Sequence, residues 1–267
     1  MMRDDSPVPD DRPGPDDRLV SDERLAQALA VYCGMVDRVV SDPSRWLGLD
    51  EDPPPTAGFP ARVLDALRDR TLGDVTPASP RWSELPVERR VRWWVIRIGV
   101  SAGLAAAAPR VAGALADRVP LQAALGAAAS GLAVCATARE HGRTDPAEWV
   151  PLLGRVLFDR DLTADRTEVP DTAESEQRLG PDAVDEDAGL ARRLGRGARR
   201  AAGTVWRLAR TLWELQSLFD ERPRGPFLAR AIAKVPVVGL AGGWVDERGG
   251  VRRAATETTR LLGAAGT

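Results

Sequence analysis

Three residues have the side chains that most often serve as zinc ligands or nucleophile–base pairs: Cys33, Cys135 and His141. A zinc site normally takes four ligands, and these three are scattered along the chain. A Cys135–His141 nucleophile pair is disfavoured, because residues six apart lie on different faces of a helix and Cys135 lies in an alanine-rich run. We therefore interpret the cysteines as buried, unreactive thiols, with no disulfide framework, and expect no metal and no cofactor.

Other arrangements with chemical potential have simpler explanations. The acid pairs Asp159 with Asp161 and Asp246 with Glu247 each adjoin an arginine, which is typical of solvated ion pairs. The glycine-rich run at 237–243 has neither the lysine of a phosphate loop nor a βαβ unit around it, so it predicts a tight helix junction. Ser101 lies in a Gly99-x-Ser101-x-Gly103 motif, but this motif falls inside a predicted helix rather than on a strand-to-helix turn, and no histidine is suitably placed to serve it. We expect no catalytic residues and no enzyme, and an enzyme of unrecognised type remains the alternative.

A basic amphipathic helix is the strongest candidate for a binding surface. Its apolar seam steps through Leu190, Leu194, Ala198, Ala201, Val205, Leu208, Leu212, Leu215 and Phe219. The opposite side, called here the arginine face, consists of Arg192, Arg193, Arg196, Arg199, Arg200, Arg207 and Arg210, with Trp206 and Trp213 near its borders. Such a helix suits an anionic membrane surface or an acidic protein partner, and it is also typical of a solvated face on a core helix. Nucleic acid is a disfavoured partner, because no helix-turn-helix with a readable recognition helix is evident. The oligomeric state stays open.

Charge alternates in blocks along a chain whose net charge is only −2. Residues 1–60 carry 13 acids and 6 arginines, net −7, and residues 161–190 carry 10 acids and 2 arginines, net −8. Residues 61–160 are net +4 and residues 191–267 are net +9. The acidic 161–190 block could therefore compete with a partner for the arginines that follow it.

These patterns divide the chain into four parts. Residues 1–22 repeat Asp-Asp pairs between prolines and predict a disordered acidic tail. Residues 23–160 form an N-terminal helical part, and residues 161–188 form an acidic flexible segment without a lasting apolar period. Residues 189–267 form a C-terminal helical part that packs on the first. Strand signals are nearly absent, so the fold class is all-α, a multi-helix bundle with small-residue packing between helices.

Caps and apolar spacing place the helices. The first begins with Ser21 or Asp22 as N-cap and ends before Pro43. Others are expected at 60–70, 87–138 with an interruption, 190–219, 227–234 and 244–262. Gly142 is suited to the residue after a helix end, and Asp145 followed by Pro146 predicts the start of the next helix.

The stretch 119–138 contains 20 consecutive uncharged residues, which is the nominal length of a membrane span. Eight of them are alanine and only five are leucine or valine, so insertion into lipid would be weakly favourable. A small-residue helix in a protein core is the preferred interpretation, and a transmembrane span or a reversibly membrane-binding hairpin remains open. The N-terminus lacks the apolar region of a signal peptide. We expect a cytoplasmic protein that associates peripherally with the inner face of the membrane.

Two stretches resemble the EcsC-like helical proteins. The first is residues 121–157, with Ala138-Arg139-Glu140-His141-Gly142 between a small-residue helix and an Asp-Pro-started helix. The second is Lys234-Val235-Pro236-Val237-Val238-Gly239-Leu240-Ala241-Gly242-Gly243, followed by a closing helix. The acidic 161–188 segment and the 190–210 helix depart from this pattern. The resemblance implies a helical bacterial protein that associates with membranes, and it supplies no active site.

Overall fold

The computed structural model describes residues 15–48, 75–111, 119–163, 168–180, 197, 200–212 and 243–264. Within these ranges the chain is helical and contains no strand, which confirms the predicted all-α class. The helices are α1 (Pro15–Ser41), α2 (Pro43–Leu47), α3 (Val87–Val111), α4 (Val119–Glu140), α5 (Trp149–Leu153), α6 (Thr172–Leu179), α7 (residues 200–212) and α8 (Gly243–Ala264). The helices expected at 60–70 and 227–234 and the glycine-rich run before Gly243 lie outside the described residues.

Shorter helical turns join these elements. A 3₁₀ turn at Pro80–Glu84 precedes α3, and another at Pro146–Glu148 leads into α5. The last turn after α5, Gly154–Phe158, widens into a π turn. In the described ranges, these turns connect the longer helices, and none of them is part of a β-sheet.

Several predicted boundaries agree with the structure. Asp145 accepts a hydrogen bond from the backbone N–H of Ala147, with Pro146 in the first turn, so this helix start is confirmed. Gly142 adopts φ +86° after α4, the left-handed conformation that favours glycine at a helix end. The start of α1 differs, because the helix begins at Pro15 and therefore includes the last residues of the predicted tail.

Helix α4 lies at the centre of the bundle. It packs mainly against α8 and α3, and it also contacts α1 and α5. From Ala124 to Ala138 nearly every side chain is buried, including the fully buried Leu132 and Val134. This helix is buried all round, as expected for the core of a bundle. The preferred interpretation of 119–138, a small-residue core helix, matches this position.

Glycine at one position of α4 permits close contact with α1. A Cβ atom on Gly131 would lie 2.8 Å from the Tyr32 hydroxyl oxygen and 2.9 Å from Cε1 of that ring. The Tyr32 hydroxyl donates a 2.6 Å hydrogen bond to the carbonyl of Ala128, one turn earlier. The small-residue spacing therefore creates room for an aromatic ring rather than for a second backbone.

The two C-terminal helices lie on different sides of the earlier ones. Helix α8 packs against α3 and α4, and it buries Val251, Ala254 and Thr258. Near the start of α7, Gly48 meets the backbone of Gly197, to which a Cβ on Gly48 would come within 2.3 Å. Residues from both ends of the chain thus share one hydrophobic core.

The prediction of a flexible segment at 161–188 is wrong for part of its length. Residues Thr172–Leu179 form α6, which packs on α1 and buries Leu179 completely. Asp171 caps the helix by accepting a hydrogen bond from the backbone N–H of Glu174 at 2.8 Å. An eight-residue helix has too few apolar positions to establish a period, so its sequence is not distinguishable from an acidic loop.

Candidate functional site

The described part of the basic helix, α7, places its apolar seam inside the bundle. Thr204 Oγ1 donates a 2.7 Å hydrogen bond to the carbonyl of Trp46, and Thr211 Oγ1 lies 3.4 Å from Met35 Sδ. These contacts fix α7 against α1 and α2. The described seam residues Ala201, Val205, Leu208 and Leu212 are all buried, and so is the neighbouring Ala209. Within residues 200–212, the seam is therefore part of the core and is not an exposed apolar face.

The other side of α7 carries the described part of the arginine face. Arg210 is exposed, whereas Arg200 and Arg207 are half-buried. Trp206 is also half-buried and packs against the core. The remaining predicted contact residues lie outside the described residues: Arg192, Arg193, Arg196, Arg199 and Trp213. The structure thus separates an inner apolar side from an outer basic side, with the tryptophan at their border.

A second charged arrangement joins α6 to α1 and α2. The Glu176 carboxylate lies 3.0 Å from the Arg38 guanidinium and 3.5 Å from that of Arg45. The Arg45 guanidinium also lies over the ring of Trp46, 4.6 Å from its centroid. Sequence inspection missed this cluster, because its residues come from segments more than 130 positions apart. The only available signal was the excess of acid in the 161–190 block.

The residues with nucleophilic side chains do not form a reactive pair. Cys135 is fully buried beside Cys33, whereas His141 is exposed after the end of α4. Burial raises the pKa of the Cys135 thiol well above its ordinary value, and the contact with Cys33 raises it further. Burial likewise raises the pKa of Tyr32. Both groups are therefore neutral, poor nucleophiles at neutral pH.

A buried carboxylate at the end of α4 was not singled out by its sequence. Glu140 Oε1 accepts hydrogen bonds from the indole N–H groups of Trp94 (2.8 Å) and Trp82 (3.2 Å). Its other oxygen, Oε2, lies 2.7 Å from the Arg90 guanidinium. Every donor comes from α3 or from the 3₁₀ turn before it. This carboxylate is fully engaged in holding two elements on α4, which is a structural role.

Of the acid pairs named in the sequence analysis, the structure gives contacts for Asp161 and for the neighbouring Arg160. Asp161 is exposed and lies 2.8 Å from the Arg155 guanidinium, a solvated ion pair. Arg160 forms an ion pair with Asp22 of α1 and thereby ties the segment after α5 to the first helix. In the described ranges, no three side chains from His, Cys, Asp and Glu come together as a metal site would require.

Two further observations bear on membranes and relatives. None of the helices in the described ranges is both long and apolar enough to cross a membrane. Comparison with family models, curated proteins and solved structures finds no match to this chain. The geometry of the chain itself is therefore the basis for assigning a function.

Proposed function

We propose that this protein is a non-enzymatic interaction module, and that the arginine face of α7 binds an acidic surface of a protein partner. The observation that carries the proposal is the position of α7. Its seam is buried among α1 and α2 while Arg210 faces outward. With α7 anchored in this way, the outer side of its described part is basic and its apolar side is inaccessible to a partner.

The same observation favours a protein partner over a membrane surface. Adsorption of an amphipathic helix to lipid combines attraction of basic residues with burial of an apolar face in the interface. Each arginine near an anionic leaflet contributes about 1 kcal/mol, so charge alone gives weak, salt-sensitive adsorption. A membrane-surface role remains the second candidate, because half-buried Trp206 borders the arginines as an interfacial tryptophan would.

A non-enzymatic role is supported by the contacts of the side chains that could have been catalytic, because these side chains contact other residues inside the protein. The Cys135 thiol contacts Cys33 in the core, and the Glu140 carboxylate is occupied by three donors. General acid–base or nucleophilic catalysis needs such groups to face a substrate. The likeness to EcsC-like proteins is part of the proposal only as a helical scaffold, since no active site comes with it.

The test uses the full chain and three probes: immobilised poly-L-glutamate, vesicles of neutral or anionic phospholipid, and duplex DNA. The test variant is Arg207→Glu/Arg210→Glu, and Arg252→Glu/Arg253→Glu is the control with the same charge change at exposed positions of α8. We expect salt-sensitive retention on poly-glutamate that falls at least fivefold in the test variant and is unchanged in the control.

Other outcomes identify the alternatives. Pelleting with anionic but not neutral vesicles, together with no retention on poly-glutamate, would replace the protein partner with a membrane surface. Tighter retention on duplex DNA than on poly-glutamate would favour the nucleic-acid alternative. Equal behaviour of the test variant and the control on every probe contradicts a role for the arginine face.

A further inference from the structure

The contact between α6 and the first two helices suggests a second interaction surface, separate from the arginine face. The surface under α6, called here the α6 seat, consists of Gly34, Arg38 and Arg45. Gly34 and Arg38 are one turn apart on α1, and Arg45 lies on α2. Helix α6 places Ser175 over Gly34 and Glu176 between the two arginines.

The seat is shaped for a closely approaching helix. A Cβ on Gly34 would lie 2.7 Å from Ser175 Oγ and 3.3 Å from the carbonyl oxygen of Pro170. Glycine is unfavourable inside a helix, since it restricts the unfolded chain less and packs no side chain. Its presence in the middle of α1 is explained by the space that it leaves for α6.

The attachment of α6 is small in comparison with that of the core helices. Of its eight residues only Ser175 and Leu179 are buried. The ion pairs of Glu176 are half-exposed, with 24% and 48% of the two arginine side chains accessible, and exposed ion pairs are individually weak. Isolated helices shorter than about 12 residues are marginal in water, so α6 depends on its seat for its structure. Such elements belong to the least stable parts of a fold.

We propose that α6 is a displaceable latch, and that the α6 seat is a docking site for an acidic amphipathic helix of a partner protein. The resident helix defines the chemistry of that partner: a carboxylate between Arg38 and Arg45, a small residue over Gly34, and an apolar residue one turn after the small one. Release of α6 uncovers Gly34 and the partly buried Arg38, and it removes the carboxylate that both guanidinium groups contact. The seat is distinct from the arginine face of α7, so the two proposals stand or fall separately.

The first test asks whether α6 opens alone. Backbone amide hydrogen exchange on the full chain is expected to be at least tenfold faster in α6 than in α4. Glu176→Gln should accelerate exchange in α6 a further threefold or more, because it removes the charge that both arginines contact. Glu174→Gln is the matched control, since Glu174 pairs with Arg178 inside α6 and not with the seat.

A third variant displaces α6 from the side of the seat. Gly34→Leu fills the space under Ser175 and also replaces glycine with a good helix former. We expect residues 168–180 to lose their protection from exchange while α4 keeps its own. Loss of protection in α4 together with α6, in any of these variants, would show that α6 is an integral part of the core and overturn the latch.

The second test asks whether the empty seat binds a helix. The variant Glu176→Arg/Leu179→Asp unseats α6 and leaves Gly34, Arg38 and Arg45 unchanged. A labelled synthetic peptide with the sequence of residues 168–180 should bind this variant at least tenfold more tightly than the wild-type chain. The same peptide carrying Glu176→Arg should not bind.

Two results would overturn the docking site. One is equal binding of the peptide by wild type and the unseated variant, or by neither up to millimolar concentration. The other is a wild-type dimer that dissociates in Gly34→Leu, because the occupant would then be α6 of a second copy. The unseated variant that also carries Arg207→Glu/Arg210→Glu should bind the peptide with the same affinity as the unseated variant alone. Peptide binding would then be independent of the arginine face.

Discussion

Glu140 illustrates how a charged residue becomes part of a core. Its carboxylate is buried but receives two indole N–H groups and one guanidinium, from Trp82, Trp94 and Arg90. A buried charge is tolerated when its hydrogen-bonding capacity is satisfied and a counter-charge is adjacent. Removal of that charge leaves the half-buried Arg90 guanidinium without this counter-charge.

Replacement of this carboxylate should therefore be costly. Glu140→Gln keeps an acceptor for the indoles but loses the charge facing Arg90, and we expect the free energy of unfolding to fall by about 2 kcal/mol. Urea denaturation measures the change. Glu148→Gln is the control, because its ion pair with Arg143 is 3.2 Å long and largely exposed, and it should change stability by less than about 0.5 kcal/mol. Equal losses in the two variants would contradict a special role for Glu140.

The buried thiol and phenol predict a loss of stability at alkaline pH. Burial raises the pKa of Cys135 above its ordinary value of 9.0 and that of Tyr32 above 10.0. Between the ordinary and raised values, the unfolded chain releases protons that the folded chain keeps. Stability is therefore complete below pH 9 and falls as pH rises, by up to about 1.4 kcal/mol per pH unit for each group. The chain has one tyrosine, two cysteines and one lysine, so few other groups titrate there.

The measurement is the free energy of unfolding as a function of pH under reducing conditions. In Cys135→Ala the decline should begin about one pH unit later, when Tyr32 starts to titrate in the unfolded chain. A wild-type profile that stays flat from pH 8 to 11 would be inconsistent with neutral burial of these groups.

At the scale of elements, α4 contains two glycines whose replacement by alanine should change the free energy of unfolding in opposite directions. Gly131 faces the Tyr32 ring, whereas a Cβ on Gly126 would meet nothing within 4 Å. Gly126→Ala should raise the free energy of unfolding by about 0.5–1 kcal/mol through helix propensity alone. Gly131→Ala should lower it by about 1–3 kcal/mol, because a methyl group would overlap the ring. Thermal or urea unfolding of the two variants tests the sign, and the same sign in both would contradict the packing of α1 on α4.

The sequence predicted elements better than it predicted their long-range contacts. Local signals sufficed for Asp145 as a cap, for Gly142 as a terminator and for the existence of an apolar seam on α7, since each depends on neighbours a few residues away. The Cys33–Cys135 contact joins positions 102 apart, and no local spacing encodes it. Helix α6 was missed because it depends on packing against α1, which a reading of its own eight residues does not include.

At the scale of the whole molecule, one core is assembled from both ends of the chain. Helix α8 contributes Val251, Ala254 and Ala255 to the core beside α3 and α4. The central helix is rich in alanine, so it depends on its neighbours for buried apolar area. A bundle built in this way should unfold as one unit.

A chain truncated before Gly243 should consequently lose cooperative unfolding. The deletion uncovers the long side of α4, and the remaining helices cannot replace the lost contacts. Urea denaturation followed through helix content should change from a single sigmoid to a shallow, broad transition. A chain that lacks only residues 265–267 is the control and should unfold as the full chain does. Retention of a steep transition without α8 would indicate that the earlier helices form an independent domain.

The tryptophans around Glu140 also give this molecule a built-in optical marker. The indole planes of Trp82 and Trp93 cross at 79° with centroids 5.5 Å apart, and those of Trp93 and Trp94 cross at 86° with centroids 5.1 Å apart. Three chromophores this close and nearly perpendicular share their electronic excitation, which generates circular dichroism in the aromatic absorption bands. Trp82 lies on the turn before α3, and the other two tryptophans lie on α3 itself. That signal therefore reports whether this turn is packed against α3.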